Sequence, residues 1–177
     1  MYPLVRITFP TLLAAFCVAL LANNSAAQTV DGNWILKVDA STDIDPWREW
    51  KIDISFDEEG LTLDRIWSAG RYSQRDSFTV AVGEINEISI RPGKWMDQVY
   101  IGVFVPLNAT RTIVAAVSDE RRQMTVTAIV PLQSAQIDTT VTITSEYILT
   151  EDGAGLILTE RRSSRSGAPL RYIFKRE

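Results

Sequence analysis

Apolar and polar residues alternate along most of this chain with a period of two. Trp50, Ile52, Ile54 and Phe56 alternate with Lys51, Asp53, Ser55 and Asp57, the pattern of a strand with one face buried and one in water. Glu58-Glu59-Gly60 reads as the following turn, and Leu61 and Leu63 restart the alternation. It continues through Ile66 and Trp67, where the change of parity predicts a bulge. Gly70 to Asp76 is polar and reads as a connection that Tyr72 could leave for a strand. Phe78, Val80 and Val82 alternate again. The step from Ile85 to Ile88 breaks the period and predicts a bulge or turn, and Pro92-Gly93-Lys94 predicts another turn. Val99, Ile101, Val103 and Val105 alternate with Tyr100, Gly102 and Phe104. Both faces of that strand are largely apolar, so it is expected to be covered on both sides or to face a ligand cavity.

The second half repeats the theme. Thr112–Val117, Met124–Val130, Thr139–Leu149, Leu156–Thr159 and Leu170–Arg176 read as strands, with turns at Ser118–Arg121 and at Glu151-Asp152-Gly153. The run Thr139 to Thr144 is rich in β-branched residues, which suit a pleated surface. The first strand opens at Asp31-Gly32-Asn33-Trp34-Ile35-Leu36. About ten strands at spacings of roughly 10–15 residues, with no amphipathic helix between them, imply an antiparallel meander. A long meander exposes two edges unless it closes. The expected fold is therefore all-β, an up-and-down antiparallel barrel of about 8–10 strands. A two-sheet sandwich is the alternative.

Residues 1–27 have a different character and read as a cleaved signal peptide. Arg6 is their only charge, Leu12 to Ala22 is uninterrupted and apolar, and Ser25-Ala26-Ala27 offers small residues at a cleavage site. The apolar run is shorter than the roughly 20 residues of a membrane span. Residues 28–177 would then form one exported domain of about 150 residues, long enough for a single core. Cys17, the only cysteine, falls in the leader, and Phe16 before it argues against acylation. The expected mature chain thus has neither disulfide nor thiol chemistry. That favours a bacterial periplasmic or extracellular protein. Of 18 basic residues the leader takes only Arg6, leaving 17 against 22 acidic ones, a net charge of −5. This disfavours nucleic acid or an anionic membrane as partner.

The opening Gly32-Asn33-Trp34 resembles the Gly-x-Trp that begins the first strand of lipocalins. The longer Gly-x-Trp-x-Leu-x-Val, followed by Ser41, resembles the start of bacterial secreted lipocalin-like domains. The far end is similar too: Leu149 through Gly153 to Thr159, then Gly167-Ala168-Pro169, then Tyr172-Ile173-Phe174-Lys175-Arg176. The middle matches only in strand count. The resemblance implies a calycin-type barrel whose cavity takes an apolar small molecule. It implies that Trp34 packs beneath a basic side chain of the last strand, Arg176 before Lys175 or Arg171, by cation–π contact. Gly32, Trp34 and Arg176 would then close the barrel. The chain departs from the vertebrate pattern in having no disulfide, no C-terminal helix and no second or third motif.

The chain contains no histidine. Ser-His-Asp and Cys-His catalysis are excluded, as are zinc sites of the usual His/Cys type. Asp57-Glu58-Glu59 lacks the ligand spacing of a calcium loop and reads as a hairpin turn, so no metal and no cofactor are expected. Trp47, Trp50, Trp67 and Trp95 are a large aromatic supply. Each can simply fill the core, but in a barrel some would line the cavity. The cavity candidates are Trp50, Trp67, Tyr100 and Phe104, and no catalytic residue is assigned. Arg161-Arg162-Ser163-Ser164-Arg165 reads as a solvated loop. Three functions follow: non-catalytic binding of a lipophilic small molecule in the barrel; binding of glycans or an envelope protein through exposed tryptophans; or an isomerase or cyclase using carboxylate and tyrosine. The last would need an acid inside an apolar cavity with a raised pKa. The carboxylates that the pattern places fall on turns or on the polar faces of alternating strands, which disfavours it.

Overall fold

The computed structural model describes residues 28–91, 93–94, 103–135 and 138–177. The leader 1–27 and the candidate Tyr100 lie outside them. Twelve antiparallel strands occupy the described residues: β1 (Gly32–Leu36), β2 (Glu49–Phe56), β3 (Leu61–Ala69), β4 (Tyr72–Val80), β5 (Ile85–Ser89), β6 (Gly93–Lys94), β7 (Val103–Val105), β8 (Thr110–Val117), β9 (Gln123–Ser134), β10 (Asp138–Leu149), β11 (Gly155–Arg162) and β12 (Leu170–Arg176). The only helical element among them is a single 3₁₀ turn, Val38–Ala40.

The strands form one all-β, lipocalin-like barrel that is nearly closed. Its hydrogen-bonded order is β4-β3-β2-β1-β12-β11-β10-β9. Strand β9 then carries two partners on its free edge: β8 along its first half and the short β7 at its far end. β5 pairs with β8 and β6 with β7. The two short strands thus extend rows begun by longer ones. Pro131 lies between Ile129, the last β9 residue paired with β8, and Gln133, which pairs with β7. A residue without an N–H fits where an edge ladder is interrupted.

The first and last strands meet, with Trp34 opposite Arg176 and Leu36 opposite Phe174. Among the described residues the break in the ladder is elsewhere, between β4 and the β5–β8 pair: there β4 bonds only to β3, and β5 only to β8. Asn86 spans the turn after β4, accepting from the Ala81 N–H at 3.1 Å and donating to the Ala81 carbonyl at 3.0 Å. β5 is poorly covered, and Ile85 is 75% exposed.

Period two sets which side chains enter the barrel. Trp50, Ile52 and Ile54 of β2, Leu61, Leu63 and Trp67 of β3, Met124 and Val126 of β9, and Leu156 and Leu158 of β11 all point inward and join Trp34 and Phe174 in the main core. A second apolar cluster joins Val105, Val130, Leu132, Val141 and Ile143.

Three local expectations need correction. β3 pairs with β4 in unbroken register from Leu61–Val80 to Ala69–Tyr72, so no bulge sits at Ile66–Trp67. Arg65, between Leu63 and Trp67, simply holds the inward parity. The Gly70–Asp76 stretch is not a connection beyond its first two residues, because β4 begins at Tyr72. The third concerns Ile85 and Ile88: β5 runs in regular register against β8, and the turn precedes it.

Candidate functional site

The barrel is plugged where its ends meet. Trp34 is fully buried and donates its indole N–H to the Val30 carbonyl at 2.8 Å. The Arg176 guanidinium lies 4.3 Å from the Trp34 ring centroid. It also donates to the carbonyls of Asp31 at 2.7 Å and Thr29 at 2.9 Å. Gly32 adopts φ +124°, and a β-carbon there would fall 2.6 Å from Arg176 Nη1. Glycine at this position therefore permits both the backbone turn and the approach of the arginine.

Farther along the barrel the interior turns polar. β3 contributes Arg65, β4 Asp76, β8 Arg111, β10 Ser145 and Tyr147, and β11 Glu160 and Arg162. Arg111 donates twice to Asp76, from Nη1 to Oδ2 at 3.0 Å and from Nη2 to Oδ1 at 2.8 Å. Arg65 donates to the same carboxylate from the opposite side. The two-pronged Arg111–Asp76 pair crosses the gap between β8 and β4, where no backbone ladder runs. Glu160 accepts from Arg162 and, at 3.3 Å, from the Ser145 hydroxyl.

Aromatic rings pack around this layer. Trp50 stacks on Trp67 with centroids 5.1 Å apart and meets Tyr172 and Phe174 edge-on. Arg65 lies over Trp67 and Arg111 over Phe78, the latter at 4.7 Å from the centroid. The rings offer electron-rich faces that help offset burial of the guanidinium charges.

Burial works against the charge on Asp76, but Arg65 and Arg111 outweigh it and hold its pKa below the usual carboxylate value. Arg65 is likewise driven further toward its charged form by Asp76, in spite of burial. Burial pushes the Tyr147 phenol up to about 12, with Arg65 acting against the shift and Glu160 adding to it.

A small cavity of about 30 Å³ opens in this layer. Trp50, Trp67, Arg65 and Arg111 are on its walls, and so are Val130 and Ile143 of the second apolar cluster. Its volume holds about one water. A wider hollow of about 500 Å³ lies near the β10–β11 turn, lined by Lys37, Thr150, Glu151 and Asp152 among others.

The structure thus brings Trp50 and Trp67 together on one cavity wall. Phe104 does not join them: in β7 the alternation sends Val105 inward and leaves Phe104 48% exposed. The carboxylates need correction, because Asp76 and Glu160 are inside the barrel. So does the basic run, since Arg162 is buried against Glu160. The signal for all of these was parity. Arg65 is two residues from Leu63, Asp76 two before Phe78, Arg111 two before Ile113, and Glu160 two after Leu158. Each charge occupies an inward position of its own strand.

No family model matches the chain, and no curated protein does. Solved structures similar to it include the following two. One is a secretory abundant heat soluble protein from Ramazzottius varieornatus, 9% identical, with a TM-score of 0.48 over 84% of this chain and 95% of that one. The other is secretory abundant heat soluble protein 4 from the same organism, 12% identical, with a TM-score of 0.49 over 85% of this chain and 96% of that one. Likeness at this level says nothing about what the chain binds.

Proposed function

We propose that this protein is a non-catalytic binding protein for a small, largely apolar molecule held inside the barrel. The observation that carries the reading is the junction of two surfaces at the interior cavity: the stacked Trp50–Trp67 wall and the second apolar cluster at Val130 and Ile143. Binding sites are typically apolar concavities with a few placed polar groups. The resting cavity is too small for such a ligand, so entry must part the wall. The gap between β4 and β8 is the place with least backbone bonding to break. Catalysis is disfavoured by Asp76, which is locked ionised between two guanidiniums and so is not a poised acid or base. A tryptophan platform for glycans is disfavoured because the Trp50–Trp67 stack is buried.

The reading includes export, with cleavage after Ala27 and action in the periplasm or outside the cell. Mass spectrometry of the mature protein checks this, and a chain that retained Met1 would refute it. For binding, dodecanol is titrated while intrinsic tryptophan emission is followed, and native mass spectrometry is run on protein purified without detergent. Saturable quenching or a co-purifying lipid is expected. Neither signal across a panel of apolar ligands would refute the reading.

A further inference from the structure

The proposed cleavage after Ala27 makes Gln28 the first residue of the mature chain. A glutamine in that place carries a nucleophile and an electrophile on one residue, its α-amine and its own carboxamide carbon. Together they can close a five-membered ring. Both partners sit on one short tether, which gives the closure a large entropic advantage over the same reaction between separate molecules. An α-amine ordinarily loses its proton at about pH 8, so part of it is nucleophilic in neutral solution.

The segment that follows is fixed rather than frayed. Arg122 donates from Nη1 to the Gln28 carbonyl at 3.2 Å. Arg176 holds the carbonyls of Thr29 and Asp31. The Val30 N–H donates to the Arg121 carbonyl at 2.8 Å. A chain end is ordered when it is tied down in this way. The Gln28 side chain lies across Gly153, in the turn between β10 and β11, where a β-carbon would overlap its carboxamide. Gly153, at φ +68°, therefore offers a bare backbone seat. Gln28 is otherwise exposed, open to solvent or to an enzyme.

The closed end of the barrel depends on these residues. Val30 is fully buried, and its carbonyl accepts the Trp34 indole N–H. An exopeptidase that removed Gln28 and Thr29 would take one of the Arg176 acceptors and bring the chain end to Val30.

We infer that Gln28 is a modification site: the mature N-terminus closes to a pyroglutamyl lactam that sits on Gly153 and caps the plugged end of the barrel. The inference rests on the proposed cleavage after Ala27. In the step the α-nitrogen bonds to Cδ and the Cδ–Nε2 bond breaks. Nε2 leaves as ammonia, taking the proton that the amine gives up, so no oxidant or reductant is needed. The backbone carbonyl of Gln28 is not consumed, and Arg122 keeps its acceptor. The ring retains Cβ, Cγ, Cδ and Oε1, the side of the residue that lies over Gly153. It has neither a charge nor a primary amine, so it shields the segment from aminopeptidases.

The test exports the full chain with its own leader, purifies it cold at neutral pH and sequences its N-terminal peptide by mass spectrometry. The expected peptide begins at residue 28 and is lighter than the glutamine form by one ammonia. Pyroglutamyl peptidase is then applied to the folded protein and to a synthetic pyroglutamyl peptide of residues 28–37. The ring should survive at least about tenfold longer on the folded protein, because its removal must wait for a local opening. In Arg122→Gln, which loses the bond to the Gln28 carbonyl, that lifetime should fall toward the peptide's while the circular dichroism of the barrel is unchanged. A mature chain that begins at residue 28 with its glutamine intact would overturn the inference and leave the cleavage standing. Loss of the ring from the folded protein as fast as from the peptide would overturn its seat on Gly153. A chain that retained Met1 would overturn both the cleavage and the lactam.

Discussion

Asp76→Asn tests whether side chains rather than backbone hold the barrel shut. The carboxylate is about nine-tenths buried, and Arg65 and Arg111 reach it from two strands. The substitution keeps the shape and one acceptor oxygen but leaves the two guanidiniums facing each other. A charge pair about 4 Å apart is worth about 4 kcal/mol at an effective dielectric of about 20. Removal of one partner from a buried pair commonly costs about 3–5 kcal/mol. We expect a loss in that range, and a fall in Tm on the order of 10 °C for a domain of this size. Urea denaturation, followed by emission from the Trp50–Trp67 stack, measures it.

The pH dependence gives an independent check. The folded pKa of Asp76 is depressed, so its contribution is present above the unfolded value of about 3.9 and is lost as pH falls through the folded value. The wild-type protein should lose stability in that acid range with a steeper slope than Asp76→Asn. A variant within about 1 kcal/mol of wild type, with the same acid slope, would refute the view that this ion pair bridges the gap in the ladder.

The remaining predictions concern the plug and the polar layer. Trp34→Ala should destabilise by about 3–5 kcal/mol, the range for a fully buried large aromatic, measured by chemical denaturation; an unchanged midpoint would remove Trp34 from the closure. Gly32→Ala should cost about 1–3 kcal/mol from its positive φ, and it should also push Arg176 off the Trp34 ring, visible as a change in near-ultraviolet circular dichroism. Tyr147→Phe should be neutral or stabilise by up to about 1 kcal/mol, because its buried hydroxyl makes no hydrogen bond. In the wild-type protein, ultraviolet titration should show a phenol ionising near pH 12, and that contribution should be lost in Tyr147→Phe. The raised pKa also means that stability falls as pH rises from about 10 toward 12.

Much of the fold is local and therefore legible. Alternation in β2, β8, β9 and β10 is set by residues two apart, and so were the turns at Gly60 and Gly153. The site was less legible for a specific reason. A charged residue in an alternating strand is ordinarily a sign of the wet face, so Asp76 read as part of a connection and Arg162 as part of a solvated loop. Consistent counting of parity from the nearest buried neighbour places both inside. Nothing local says that a charge can remain there, because that depends on partners far away in sequence: Arg111 is 35 residues from Asp76.

The sequence by itself determined the all-β meander, the inward and outward faces of most strands, and the Gly32–Trp34 opening that turns the chain into β1. Those follow from steric preferences and a period of two, which each segment carries alone. The tertiary structure alone decided where the barrel fails to close. β1 and β12 meet in a ladder, whereas β4 and β8 meet through Asp76 and Arg111. It also decided that the four strands carrying Arg65, Asp76, Arg111 and Glu160 deliver their charges to one level of the interior. Register between distant strands sets that level, and register is a property of the closed sheet rather than of any segment within it.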